Sequence, residues 1–339
     1  TTLFRSPDGV DNHVGFTEPT SSRILARYEC GAATCSWVSS FSETSWHFNA
    51  VAGLIFGDLL DDQDAAISSY GEQVKRSGYA NEARGYLYGT NGDQYSYRSA
   101  LQHVQFRSPK PVIVNLSEVL SDDENCTGET ITSQFANDIY ESGSLPIVAA
   151  GNSPGSAYDC TVNDPGSAIG VFTVGGHGTS DSGDANTVKS ASIWPNSAFG
   201  GSTSTYSEGK YRTIIDATSY AYRNYLFDSI SSYDNSGWGT SLSAPTVSAA
   251  AIDIVDWYST TYGNMIKDPG VLFSTLLLMG DGQGRTYVLS QGFDPLWGSG
   301  RLRTRIFTPS GMDSPYGWSI NWLCIANGQV ISLHPNNGN

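Results

Sequence analysis

The sequence predicts a three-layer α/β fold: a mostly parallel β-sheet with helices on both faces, extended by a short C-terminal β-hairpin. Segments with strand character alternate with segments of helical character along most of the chain, and this order is typical of a parallel sheet covered on both sides. Several strand segments are continuous in Val and Ile instead of alternating with polar residues. Such runs indicate strands that are buried on both faces.

The predicted elements begin at the apolar, Ala- and Gly-rich segment that starts with His47. Buried strands are predicted where Val and Ile cluster, and an amphipathic helix is predicted where polar and apolar residues alternate with helical spacing. In chain order the elements are a helix from His47, a strand near 84–88, a helix around 97–106, a strand at 112–116, a helix from about 130 to 142, a strand at 147–150, a strand at 171–174 and a helix after Ser241.

The character of the chain changes after Phe307. Two short strand-like segments surround Ala326-Asn327-Gly328, and this pattern predicts a hairpin. We therefore expect one large domain at 1–307, followed by a β-rich extension at 308–339 that packs on it or belongs to a truncated module. The length of 339 residues is sufficient for one such domain with an ample core.

Charge and hydropathy exclude two classes of partner. The net charge is -15, with 33 acidic and 18 basic residues, so nucleic acid is not an expected partner, because phosphate binding requires a basic surface. No apolar stretch reaches the length of a membrane span, and the segment 271–279 is too short for one. Thr1 follows no signal peptide, so we expect a mature or trimmed form of a secreted protein.

One segment combines the features that a reactive serine needs. In Gly239–Pro245 a Gly-Thr pair allows a tight turn before Ser241, and the small residues at 246–251 can begin a buried helix whose positive end lies at that serine. An ordinary helix N-cap also explains Ser, Thr and Gly at a helix start. The segment resembles the nucleophile segment of the subtilisin-like serine proteases, the subtilase family.

His47 is the histidine that fits this resemblance. A serine hydroxyl is a poor nucleophile unless a neighbouring base takes its proton. Residues 46–55 resemble the histidine segment of the family, although Phe48 and Asn49 stand where the family usually has small residues. The remaining histidines, which lack such a context, are His13, His103, His177 and His334.

Asn152 follows an apolar strand at a Gly-Asn turn. Such turns are common, because Asn tolerates left-handed backbone angles. The order His47, Asn152, Ser241 is that of the family, so the resemblance implies that Asn152 donates to the oxyanion that develops on the substrate carbonyl. The resemblance to the family covers roughly residues 8 to 305. Its further matching segments are 78–88, 111–117, 165–166, 171–175, 214–217 and 296–302.

The resemblance also implies that an extended peptide pairs with the edge that follows Ser117. The implied substrate-binding residues are Ser117, Glu118, Val119, Ala150 and Gly151. Where the family commonly has glycines after that serine and its neighbour, this chain has Glu118-Val119-Leu120. These side chains are expected to narrow the cleft or to disfavour acidic substrate residues. Broad, subtilisin-like cleavage of a peptide library would contradict this expected atypical specificity.

The sequence leaves the triad carboxylate open. Asp8 is favoured over Asp11, because a one-residue deletion aligns Asp8 with the family pattern, whereas an alignment without gaps puts Pro7 at the catalytic position. Asp-Gly is also a turn signal, so either carboxylate can merely cap that turn. Residues 3–7 predict a poor core strand, because proline cannot donate a hydrogen bond in a central ladder.

The resemblance implies a secreted serine endopeptidase that cleaves polypeptides and is made with an inhibitory propeptide. Ser241 attacks the peptide carbonyl, His47 shuttles the proton, Asp8 orients His47, and Asn152 and the Ser241 amide stabilise the oxyanion. The alternative is a catalytically silent relative that binds peptides or proteins, which the open carboxylate and the altered cleft both suggest. An acid-acting family with carboxylates as the base also carries Gly-Thr-Ser, but the contexts of His47 and Asn152 argue against it.

Five cysteines suggest two disulfides in an oxidising compartment. Cys30 and Cys35 enclose a short loop, and Cys126 and Cys160 flank the strand that leads to Asn152, so we expect these two pairs and a free Cys324. A metal site is the competing explanation, but no cysteine pair has the usual two-residue spacing.

No cofactor is required for the predicted chemistry. Acidic clusters suit a structural calcium ion, and they occur at Asp58, Asp61, Asp62 and Asp64 and at Asp122, Asp123 and Glu124. Solvated surface is the default interpretation of such charge runs.

Overall fold

The fold was analysed in a computed structural model of the chain. The described residues are 2–5, 16, 23–41, 46–57, 78–80, 82–120, 126–155, 160–178, 192–200, 214–223, 226–227, 233–234, 237–263, 268–280 and 296–302. They all belong to one compact unit, Thr1–Leu302. The predicted C-terminal hairpin and the domain boundary at 307 lie outside the described residues.

A sheet of eight strands forms the centre of the described structure. The strands are β1 (Thr2–Arg5), β2 (Ile24–Cys30), β3 (Cys35–Val38), β4 (Gly85–Thr90), β5 (Ile113–Leu116), β6 (Leu145–Ala149), β7 (Phe172–His177) and β8 (Ala217–Tyr220). Their spatial order is β3-β2-β4-β1-β5-β6-β7-β8. Every neighbouring pair is parallel except β2 with β3, which form an antiparallel hairpin at one edge.

Two short antiparallel pairs lie between β8 and the last long helix in chain order. They are β9 (Tyr222–Arg223) with β12 (Gly237–Trp238), and β10 (Leu226–Phe227) with β11 (Tyr233–Asp234). The β12 strand leads directly into Gly239.

Five helices connect and cover the strands in the described ranges. They are α1 (Trp46–Phe56), α2 (Gln94–Gln105), α3 (Ile131–Glu141), α4 (Thr240–Tyr262) and α5 (Pro269–Leu278). Asp93 caps α2 and Thr130 caps α3 through side-chain oxygens, as expected for helix N-caps. Gly239 begins α4 with no side-chain cap, so the amides of its first turn are left for other partners.

Strand side chains alternate between two apolar layers, and this alternation places helices on both faces. Leu87 of β4 belongs to the cluster that contains α1 and α4 residues. Its neighbours Tyr86 and Tyr88 belong to the cluster that contains α2 and α3 residues. Because successive strand residues point to opposite faces, one strand supports both layers, and the predicted α/β class with helices on both faces is confirmed.

The expectation for the N-terminal strand was wrong. Thr2–Arg5 forms a regular strand in the middle of the sheet, paired in parallel with β4 on one side and β5 on the other. The strand ends two residues before Pro7, so the missing N–H of proline does not interrupt the ladder. Residues 2–5 alone form the ladders with both β4 and β5.

Both expected disulfides are present. Cys30 is bonded to Cys35 and closes the β2–β3 hairpin, while Cys126 is bonded to Cys160. Cys324 lies outside the described residues. Within the described part of the chain, no helix combines the length and the apolar character needed to cross a membrane.

Candidate active site

His47 and Ser241 meet at the carboxyl ends of the central strands. His47 is the second residue of α1 and Ser241 the second of α4, and 194 positions separate them in the sequence. Their side chains are hydrogen-bonded, with 2.8 Å between His47 Nε2 and Ser241 Oγ. This is the distance at which an unprotonated imidazole nitrogen accepts the hydroxyl proton.

Close packing of α1 against α4 holds this contact in place. Phe48 and Ala52 of α1 lie in the same buried cluster as Leu242 and Ala249 of α4. Small side chains on both helices let the two backbones approach each other. Phe48, which departs from the family pattern, is almost fully buried and meets Phe41 edge-on, so it fills the core beside the histidine.

Thr240 fixes the orientation of the Asn152 side chain. Both the Thr240 N–H and the Thr240 hydroxyl donate to Asn152 Oδ1, at 2.9 and 3.0 Å. The Gly151 N–H donates to the same hydroxyl at 3.0 Å, so the proton of that hydroxyl is directed at Asn152. Because a backbone N–H can only donate, its partner must be the amide oxygen. The Nδ2 group is therefore the outward end of Asn152.

Gly239 leaves open the space between the serine and the amide. A Cβ placed on Gly239, whose φ is +147°, would lie 3.0 Å from Ser241 Oγ and 3.3 Å from Asn152 Nδ2. Both atoms therefore border one small volume that only glycine keeps empty. The Ser241 N–H lies in the first turn of α4, where a helix offers amides without intrahelical partners. Two donors thus converge beside the hydroxyl.

A buried polar network joins α4 to the strand end beside it. Asn115, at the end of β5, is fully buried; its Oδ1 accepts a hydrogen bond from Ser248 Oγ of α4, and its Nδ2 donates to Ser117 Oγ, each at 2.9 Å. The amide therefore ties the helix that carries Ser241 to the residue that begins the predicted substrate edge. All of these polar atoms satisfy one another without water.

The predicted substrate edge has its own supports. The Leu120 N–H and C=O both pair with the backbone of Asp164, at 2.7 and 2.9 Å. Tyr97 donates its hydroxyl to the Glu118 carbonyl at 2.9 Å, and Thr90 Oγ1 donates to a Glu118 carboxylate oxygen at 3.2 Å. The segment is therefore fixed on both sides of Val119.

The side chains of the predicted substrate edge, residues 118–120, differ in what they contact. Val119 and Leu120 are half-buried and pack against the apolar cluster of the α2–α3 layer, so that much of their bulk fills this layer. The carboxylate of Glu118 is half-buried beside Thr90 at the end of β4.

Ala150 and Gly151 form a buried wall next to Asn152. The Ala150 carbonyl accepts from Asn163 N, and the Gly151 carbonyl accepts from Ala198 N. Gly151 has φ +110°, and a Cβ there would collide with Asn163 Oδ1, so glycine is required at this turn. Asn163 therefore lies directly against the predicted substrate wall.

Several predicted residues cannot be placed. Asp8 and Asp11 lie outside the described residues, although β1 ends at Arg5, shortly before Asp8. Both acidic clusters proposed for calcium, at 58–64 and 122–124, are also outside them. In the described ranges, no three His, Cys, Asp or Glu side chains form a group that could hold a metal ion.

Sequence reasoning missed three residues that hold the site. Thr240 was noted only as part of a tight turn, yet it binds a loop 88 positions away. Asn115 and Ser248 lie 133 positions apart, and nothing local announces their contact. A buried polar residue at the end of an apolar strand, such as Asn115, was the one available signal.

The solved structures with a similar fold include two that are named as proteases. Sphericase matches with a TM-score of 0.64 and 19% identity, over 89% of this chain and 90% of that chain. The prenylagaramide maturation protease PagA matches at 0.59 and 18%, over 89% and 90%. The psychrophilic protease S41 matches at 0.59 and 19%, over 89% and 91%. At these identities the matches establish the fold.

Sequence comparison gives the family. No curated protein sequence is similar enough to be matched to the chain. The family model described as the subtilase family, Peptidase S8, matches residues 9–271, which is most of the chain and includes His47, Asn152 and Ser241. The chain therefore belongs to the subtilase family of serine proteases.

Proposed function

We propose that the chain is a secreted serine endopeptidase in which Ser241 is the nucleophile and His47 the general base. The observation that carries this proposal is the 2.8 Å contact between Ser241 Oγ and His47 Nε2 at the start of an uncapped helix. The alternative function, a silent relative that binds peptides, shares the fold but does not need a nucleophile paired with a base.

The geometry supports acyl transfer in two steps. Ser241 Oγ attacks the peptide carbonyl while its proton passes to His47 Nε2, and the carbonyl oxygen becomes an oxyanion. Asn152 Nδ2 and the Ser241 N–H are the donors for that oxyanion. The protonated His47 then gives its proton to the leaving amine as the C–N bond breaks. Water, deprotonated by His47, releases the acyl group and restores Ser241.

We propose Asp8 as the carboxylate that orients His47. Support comes from the position of β1, whose carboxyl end lies between those of β4 and β5 and precedes Asp8 by three residues. In parallel sheets of this kind, functional groups gather at the carboxyl ends of the strands. Asp11 lies further along the chain and is the second candidate.

The substrate is an extended polypeptide that pairs with the edge at Ser117–Val119. Among the described residues, no hydrogen bond occupies the Val119 backbone, whereas its neighbours Glu118 and Leu120 are engaged. An added strand would use such backbone groups. The Glu118 carboxylate beside this edge disfavours acidic and favours basic substrate side chains.

Secretion and maturation complete the proposal. Both disulfides fit an oxidising compartment, and an inhibitory propeptide is expected from the family. Recovery of the chain from the cytosol with reduced thiols would contradict secretion. Acidic residues at 58–64 and 122–124 are candidate ligands for a structural calcium ion; a melting temperature unaffected by a chelator would count against it.

Covalent labelling by a fluorophosphonate probe tests the Ser241–His47 pair. We expect labelling of the native chain to rise with pH as His47 loses its proton, and to vanish in Ser241→Ala. Ser243→Ala, which alters a buried serine two residues away on the same helix, should still be labelled. A folded native chain that takes up no probe would establish the silent alternative.

The bridge from Thr240 to Asn152 predicts non-additive kinetics. Thr240→Val removes the hydroxyl but keeps the shape, and loss of about one hydrogen bond should lower kcat about tenfold with little change in KM. Asn152→Leu should lower kcat about 10²- to 10³-fold, as loss of the equivalent donor does in subtilisin. The double variant should be no slower than Asn152→Leu alone, because Thr240 acts through Asn152.

The matched control for this cycle is Thr246→Val, the same chemical change on the same helix. Thr246 donates to the Leu242 carbonyl within α4, so kcat should stay within about twofold of the native value. Equal effects of Thr240→Val in the native and Asn152→Leu backgrounds would refute the bridge.

The triad carboxylate is identified by two single substitutions. Asp8→Asn should lower kcat by about 10⁴-fold, because the imidazolium loses its counter-charge and the histidine its correct tautomer. Asp11→Asn, the control, should change kcat by less than about twofold. The reverse pattern would assign the role to Asp11, and normal rates in both variants would exclude the region.

Substrate charge preference is expected to depend on Glu118. Replacing it by Gln keeps the size and removes the charge, so kcat/KM for acidic peptides should rise, and that for basic peptides should fall, by up to about fivefold. A library of peptides that differ only in charge measures both ratios. Identical ratios in the native and Glu118→Gln proteins would contradict the role of Glu118.

A further inference from the structure

A cavity lies apart from the candidate active site. It has a volume of about 480 Å³ and lies between α2 and the β2–β3 hairpin, in the range of about 300–1,000 Å³ that is typical of ligand pockets. Its walls are hairpin residues 33–35, side chains of α2, and Arg107 and Ser108 just after that helix. None of them belongs to the Ser241 site.

Both walls are well defined. The hairpin is closed by the Cys30–Cys35 disulfide and by a hydrogen bond from Gly31 N to the Thr34 carbonyl. The α2 wall consists of Ser99, Gln102, His103 and Phe106, which share one face of the helix by their spacing of three and four. Phe106 is 74% exposed, so an aromatic ring stands at the rim of a polar cavity.

Arg107 is the charged group of the cavity, and tyrosines hold it. Its Nη1 donates to the Tyr28 hydroxyl at 2.7 Å, and its guanidinium carbon lies 3.7 Å from the centre of the Tyr86 ring and 4.8 Å from that of Tyr28. The buried Nε–H has no hydrogen-bond partner. The terminal nitrogens of the planar guanidinium carry further N–H donors, which can be offered to a ligand.

No carboxylate in the described part of the chain neutralises Arg107. This is unusual in a protein with 33 acidic and 18 basic residues, in which a cation has many potential partners. The neighbouring His103 binds the Tyr88 hydroxyl through Nδ1 at 2.8 Å. Burial, and then the charge of Arg107, lower the pKa of His103, so this imidazole is neutral at neutral pH. The cavity therefore presents a single positive charge.

We propose that this cavity binds the carboxylate side chain of an acidic peptide segment. Arg107 meets the carboxylate, because guanidinium and carboxylate are matched in shape and charge. Gln102 and the hydroxyl groups of Ser99 and Thr34 serve the adjacent peptide amides, and Phe106 packs on a flanking apolar side chain. The cavity is larger than one inorganic anion needs, and this favours a peptide over free phosphate. The binding does not depend on the proposed hydrolysis.

Titration calorimetry with a blocked peptide tests the proposal. The probe is acetyl-Ala-Ala-Glu-Ala-Ala-amide, with the Gln peptide of the same length as its comparison, and Ser241→Ala protein is used so that cleavage cannot interfere. We expect the Glu peptide to bind about tenfold or more tightly than the Gln peptide, and Arg107→Gln to remove this difference. Lys110→Gln, which neutralises a nearby exposed cation outside the cavity, should leave it unchanged.

A second variant keeps the proposal falsifiable if Arg107→Gln does not fold. Gln102 is exposed on the cavity wall, so Gln102→Trp should fill the cavity and block the peptide without disturbing Arg107. Absence of Glu-peptide binding at millimolar concentration, equal binding of both peptides, or undiminished binding to Gln102→Trp would overturn the proposal. Inorganic phosphate that binds Arg107 as tightly as the Glu peptide would reduce the site to a simple anion site.

Discussion

The first turn of α4 is bound to the loop after β6, and the proposed catalytic arrangement depends on this attachment. Thr240 supplies a donor from its backbone and a bridging hydroxyl from its side chain. The attachment sets the orientation of the Asn152 side chain. It also fixes the position of Ser241, the next residue of α4, relative to the sheet. Because Gly239 has no side chain, the neighbouring groups alone define the small space beside Ser241 Oγ and Asn152 Nδ2.

Helix α4 connects this attachment to the rest of the domain. It runs against β5, β6, β7 and β8 and contacts α1, so that one element touches most of the parallel sheet. Ser248, two turns after Ser241, is hydrogen-bonded to the buried Asn115. An apolar core alone would allow the helix to slide by small amounts, because burial is not directional. A buried, fully paired amide restricts that freedom.

Local chemistry made much of the fold predictable. The Val- and Ile-rich strands and the small residues after Ser241 reported burial directly, and both disulfide pairs followed from their positions around a loop and a strand. A contact between Ser241 and a base was expected from the chemistry of serine, and the resemblance to the subtilase family pointed to His47. Asp8 could be argued only from alignment, and its side chain lies outside the described residues.

The contacts that sequence reasoning missed share a physical cause. Thr240, Asn115 and Arg107 act through partners 79 to 133 positions away, and no sequence period encodes such contacts. The misjudged N-terminal strand had a different reason: the presence of Pro7 was applied to a strand that ends before it. Propensity rules apply only to the residues inside an element. β1 ends at Arg5, two residues before Pro7, so the rule for proline in a strand does not apply to it.

The central position of β1 also bears on how the domain assembles. Its two neighbours, β4 and β5, begin at residues 85 and 113, so β1 has no sheet partner until the chain has been made beyond residue 85. Closing such long loops before any pairing is gained is slow. β1 is thus made before both of its sheet neighbours, and the centre of the sheet is complete only when β1 has paired with them.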